Sequence, residues 1–209
     1  QCDLRPHRQT HPHAALVTGS EIRMKTLATL FAAGLMAVGL QHSVRAEPLD
    51  DWTIVHKVLS HPRCANCHTP DERPRWSDDK TGAQINHAMN VQRGHDGSGF
   101  GNPGLRCTTC HGEANGTRNG MPPGAPNWHL APVEMAWTGQ TSAQICAQIK
   151  DPLRNGGRDL EAVAKHIAED KLVLWGWAPG PGREPAPGTP EETYAALQRW
   201  AAAGAPCPQ

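Results

Sequence analysis

Aromatic residues other than tryptophan are scarce in this chain: one Tyr and two Phe stand beside seven Trp in 209 residues. Hydrophobic residues make up only 38%, while Gly and Pro occupy 21 and 19 positions. That balance argues against a large self-sufficient apolar core. A loop-rich domain of this kind usually draws extra stability from disulfides, a metal or a large cofactor. The seven Trp could line a cofactor, although core packing is the ordinary role of each. Basic stretches are lacking as well. Residues 47–209 hold 15 Lys and Arg against 18 Asp and Glu, which is mildly acidic and excludes the electrostatic footprint of a nucleic-acid binder. No strand-like alternation of polar and apolar residues stands out.

Long apolar runs are absent save one. Leu27 to Leu40 spans 14 residues, follows Met24-Lys25 and precedes Val44-Arg45-Ala46, which has small residues where a signal peptidase reads. The layout predicts a signal peptide over 24–46, cleaved after Ala46, with an uncleaved anchor as the alternative. The run is short for a spanning helix. Residues 1–23 read as upstream leader sequence, and 47–209 as a single domain with no membrane span, exported to the periplasm.

With Cys2 assigned to the leader, six cysteines remain. Four form Cys64-Ala-Asn-Cys67-His68 and Cys107-Thr-Thr-Cys110-His111. In C-x-x-C-H the two thiols add across the vinyl groups of a haem, and the next residue supplies the proximal imidazole to iron. A zinc site would not require His after both pairs. Redox dithiols do not normally occur in tandem with that His. The pattern predicts two covalently bound haem c groups, with His68 and His111 as proximal ligands. The remaining pair, Cys146 and Cys207, is expected to form a disulfide in an oxidising compartment.

What each iron does depends on the opposite face: a second His or a Met closes it, and an open face admits small molecules. The candidates are His56, His61, His87, His95, His129 and His166, with Met89, Met121 and Met135. His87 lies 19 positions after His68 and His129 lies 18 after His111, each in an irregular stretch able to fold back. They are the preferred distal candidates. His166, Met135, Met121 and Met89 rank below them, His166 reading as a partly exposed histidine at the edge of an apolar helix face. Which of His87 and His129 serves which haem stays open.

Local signals predict helices over 49–60, from Thr141-Ser-Ala-Gln144 to Ile149, after Asp159, and from Thr189-Pro190 to Trp200. The predicted fold is mainly α and loop-rich, with the haems forming much of the core.

The segments CANCH (64–68), HAMNVQRG (87–94), LRCTTCHG (105–112), MPPGAPNWHLAP (121–132), ICAQIKDPLRNGGR (145–158) and LVLWGWAPGPGR (172–183) carry a further signal. Through them the chain resembles a family of periplasmic di-haem c-type cytochromes, often labelled isoquinoline 1-oxidoreductase subunit. The resemblance implies electron transfer beside a molybdenum-containing hydroxylase or dehydrogenase, with onward transfer to a respiratory acceptor. The chain is too short to be the hydroxylase itself, and its cysteines are otherwise used. The main alternative is an enzyme, a peroxidase-like di-haem protein with one open haem face. Only 38 residues separate His68 from Cys107, too few for the intervening domain that such an enzyme would need. A haem sensor, the third reading, would normally come with a signalling domain.

Overall fold

The computed structural model describes residues 47–77, 81 and 83–209; the expected leader and signal peptide lie outside the described residues. Its helices are α1 (Pro48–Leu59), α2 (Pro62–Ala65), α3 (Ser142–Ile149), α4 (Leu160–Glu169), α5 (Lys171–Leu174) and α6 (Pro190–Ala202). None is long and apolar enough to cross a membrane.

Each longer helix starts where its local chemistry says it should. Pro48 occupies the first turn of α1, with Asp50 and Asp51 at its positive end. Thr141 and Gln144 exchange bonds as a capping box on α3, Thr189 and Glu192 do the same on α6, and the Asp159 carboxylate accepts from Ala162 N–H on α4. Residues three and four apart then share one face. Trp52, Val55 and Leu59 from α1 meet Ile145 and Ile149 from α3, Val163, Ala164 and Ile167 from α4, and Ala196, Leu197 and Trp200 from α6. The Trp52 and Trp200 rings are 5.0 Å apart. At the edge of this core Arg199 holds the buried Asp51 carboxylate, joining α6 to α1.

Cys146 and Cys207 form a disulfide that pins the C-terminal tail to α3. The tail is further held where Trp200 Nε1–H donates to the Pro206 carbonyl. Because the bridge spans 61 positions, replacing both cysteines by serine is expected to cost about 2–4 kcal/mol of stability by urea unfolding. A loss well under 1 kcal/mol would mean the tail is anchored without it.

Between α2 and α3 the chain is mostly loop, but not free of strands. β1 (Arg75–Ser77) pairs antiparallel with β2 (Gln84–Asn86), setting Trp76 opposite Ile85. β3 (Gly101–Asn102) pairs with β4 (Leu105–Arg106). These two ladders correct the strandless reading. Segments of two or three residues are too short to show a period of two, so pairing between neighbours, not patterning, makes them. Two short helices also escape sequence patterns: α2, whose N-cap is His61, and α5, capped by Asp170.

Candidate functional site

Both C-x-x-C-H segments fold into the same turn. In the first, Cys67 N–H and His68 N–H both donate to the Cys64 carbonyl, at 3.1 and 3.2 Å. In the second, Cys110 and His111 donate to the Cys107 carbonyl at 3.2 and 3.0 Å. α2 delivers the first turn; β4 delivers the second, with Cys107 N–H bonded to the Phe100 carbonyl.

The two imidazoles are fixed in the same way. His68 Nδ1 lies 2.7 Å from the Met135 carbonyl, and His111 Nδ1 lies 2.7 Å from the Pro123 carbonyl. Donating Nδ1–H to a carbonyl selects the tautomer whose lone pair sits on Nε2, the arrangement of a metal-ligating histidine. Each ring also has an indole stacked against it: Trp137 on His68 at 3.4 Å, and Trp128 on His111 at 4.4 Å, both within 4° of parallel. Burial pushes His68 down to about 3, although part of its surface stays open along a cavity wall. Burial likewise lowers His111, against the raising effect of the Pro123 bond. Both shifts favour the neutral imidazole, the form that metal ligation requires.

Each turn opens into its own cavity. The larger, about 530 Å³, is lined by Cys107, Cys110, His111 and Trp128, with His87 and Met89 across from them in the chain. The smaller, about 280 Å³, is lined by Cys64, Cys67, His68 and Met135 and by Val163 and His166 of α4. Arg63, Cys67 and His129 line both. The two cavities therefore adjoin.

The sequence candidates distribute unevenly over these cavities. The His87 ring centre is 6.0 Å from that of His111, with 62° between their planes. His129 sits at the shared edge, stacked on Phe100 at 4.7 Å. His166 faces the smaller cavity from α4, a more involved position than the edge-of-helix reading implies. The Met135 carbonyl holds His68 Nδ1, which puts that residue on the proximal side. Met121 lines neither cavity, and Met89 lines the larger one while staying 71% exposed. His56 and His61 belong to α1 and the cap of α2, and His95 is exposed in a loop.

No family model, curated protein or solved structure matches this chain. The chemistry of the site is therefore argued from its own residues.

Among the described residues no three His, Cys, Asp or Glu side chains converge as a metal-binding group, and the four thiols are not drawn together into one. Nor do Cys64, Cys67 and Cys107 resemble reactive thiols, whose thiolates are stabilised. Burial raises Cys64 to about 12 and Cys67 to about 11, and it raises Cys107 too. Four free cysteines, paired in two turns that each carry a Nδ1-anchored imidazole beside a cavity, fit thioether attachment to a haem.

One further observation fits that group. Arg93 is 3% exposed, and its Nε and Nη2 have no hydrogen-bond partner among the described residues. Nη1 donates to the Ala131 carbonyl, and Ala131 N–H donates to the Cys67 carbonyl. The guanidinium is close enough to bear on both His68 and Cys107. A buried cation needs an anion; Arg93 lines neither cavity, and a propionate of a haem held beside His68 or Cys107 is one that would lie near it.

Arg93, Trp128 and Trp137 carry no local sign of these roles. The support of the second site is also long-range: Asn115 Oδ1 accepts from Gly124 N–H and from Trp175 Nε1–H, and the Trp175 ring meets Trp128 edge-on at 4.8 Å. At Gly124 a Cβ would lie 2.2 Å from the Ala114 carbonyl oxygen. This loop can seat Pro123 beside His111 only with glycine there.

Proposed function

We propose that this protein is a di-haem c-type cytochrome that carries electrons. The observation that carries the reading is the repeated arrangement at adjoining cavities: a C-x-x-C-H turn whose imidazole has its Nδ1 on a backbone carbonyl. Cys64 and Cys67 would attach one haem and Cys107 and Cys110 the other, with His68 and His111 as proximal ligands. When bound there, haem supplies reversible one-electron chemistry at iron.

The protein's part is to hold, close and insulate that group. His87 supports closure of the second site. The His87 and His111 rings lie with centres 6.0 Å apart on the lining of one cavity, so both imidazoles would reach a group held there. His87 Nδ1 is turned to the Ala88 carbonyl, which leaves Nε2 for the cavity. The walls shared by the two cavities suit electron exchange between neighbouring haems.

The resemblance to the periplasmic di-haem family supports a molybdenum-containing hydroxylase or dehydrogenase as the donor and a respiratory acceptor downstream. The Cys146–Cys207 disulfide is compatible with an oxidising compartment such as the periplasm. The test is to mature the full chain in a cytochrome c assembly strain and record ferric and ferrous spectra with and without carbon monoxide. Two low-spin haems untouched by carbon monoxide are expected. A high-spin haem that binds it in the unmodified protein would favour the enzymatic reading.

A further inference from the structure

We infer that the haem at Cys64 and Cys67 is closed on its distal face by His166, with Asp170 as the residue that positions that imidazole. The inference rests on the haem reading above and names a residue of this chain that the C-x-x-C-H pattern does not assign.

The smaller cavity has two sides. His68 and Cys64 line it from the first turn, and α4 lines it through Val163, His166 and Ile167. Those three positions, spaced by three and four, form one face of the helix. Val163 and Ile167 are buried, while the His166 side chain keeps 33% of its surface. An imidazole between two aliphatic neighbours, on the wall of the mostly apolar cavity that the anchored His68 also lines, is in a position to reach a group held there.

Asp170 fixes the orientation. One carboxylate oxygen, Oδ1, accepts from Leu172 N–H and Val173 N–H at 2.9 and 3.2 Å, which caps α5. Its backbone N–H donates to the His166 carbonyl at 3.1 Å. The other oxygen, Oδ2, then faces His166 Nδ1 at 3.6 Å, beyond hydrogen-bond length but within ion-pair range. With Nδ1 directed to a carboxylate, Nε2 is the nitrogen left for the cavity. A carboxylate behind a ligating histidine is a recurrent device for orienting the ring and raising its basicity.

His129 is the competing candidate, and its position sets it apart. It lies on a loop at the edge common to both cavities, with Nδ1 at the Asn127 carbonyl and its ring on Phe100. It belongs to the boundary between the haems, whereas His166 belongs to one wall of one cavity.

The experiment titrates carbon monoxide against the ferrous, fully matured chain after its covalent haem content has been counted by mass. Unmodified protein and His129→Ala are expected to bind none. His166→Ala should bind one equivalent, and His166→Ala combined with His87→Ala should bind two. His166→Met should again bind none, with the midpoint potential of one haem raised, since Met in place of His raises it. Asp170→Asn should leave both haems closed yet raise the midpoint of one by at least a tenfold change in its reduction equilibrium, about 59 mV. A merely structural Asp170 would not move a single potential in that way. The assignment is overturned if His129→Ala opens a haem and His166→Ala, or the Met variant where alanine fails to mature, opens none and shifts no potential. Unmodified protein lacking covalent haem would instead sink the haem reading on which the assignment rests.

Discussion

Replacing His87 by alanine is expected to turn one of two low-spin haems into a high-spin, carbon-monoxide-binding one and leave the other unchanged. The expected effect is one full haem equivalent, since His87 is the histidine whose ring meets that of His111. Met89, two residues on, is largely exposed, and His129 sits at the far edge of the cavity beside Phe100. The backbone behind His87 is also specialised. Met89 and Asn90 follow with φ of 61° and 52°, two consecutive left-handed non-glycine residues. Each costs about 1–3 kcal/mol when held out of the common regions. Such a turn persists where the surroundings fix it, and here it follows directly on the residue whose ring meets His111. A variant with two closed haems would show that His87 is not a ligand.

Arg93→Met is expected to act in opposite directions on the loaded and unloaded chain. Without haem, the substitution exchanges a buried guanidinium with two unpartnered nitrogens for an apolar side chain of similar length. Unloaded protein should therefore be as stable or more stable. With haem attached, the variant loses the cation that would pair with a propionate and that lies near both His68 and Cys107. Its midpoint potentials should fall, since a nearby positive charge favours the reduced state. A tenfold change in the reduction equilibrium, about 59 mV, is the scale expected for the nearer haem. Potentiometric titration of the loaded protein and urea unfolding of cytoplasmically expressed, haem-free protein measure the two halves. Unchanged potentials together with a destabilised haem-free chain would make Arg93 a purely structural residue.

The parts of this molecule legible in the sequence are those set by neighbours along the chain. Thr141 with Gln144, Asp159, and Thr189 with Glu192 announce helix starts because a cap acts within three or four residues. The two C-x-x-C-H motifs are legible for the same reason. Contacts made by distant residues leave no such trace. His68 meets Trp137 and the Met135 carbonyl only once the loop after β4 has returned. His166 reads as a histidine at the edge of an amphipathic helix until Val163 and Ile167 are seen to wall a cavity that His68 also lines. His87 and His129 look alike by spacing, and folding separates them, one paired with His111 and the other at a shared boundary. Arg93 gives no sign of burial because the carbonyl that receives it belongs to Ala131, 38 positions away.

The most direct test of the account is the intact mass of the matured chain under denaturing conditions, where only covalent haem survives. The account predicts the mass of the polypeptide plus two haems, falling by one haem when Cys64 and Cys67 are replaced by alanine and by one when Cys107 and Cys110 are. A matured chain that carries no covalent haem, or one haem that neither pair of substitutions removes, would contradict it.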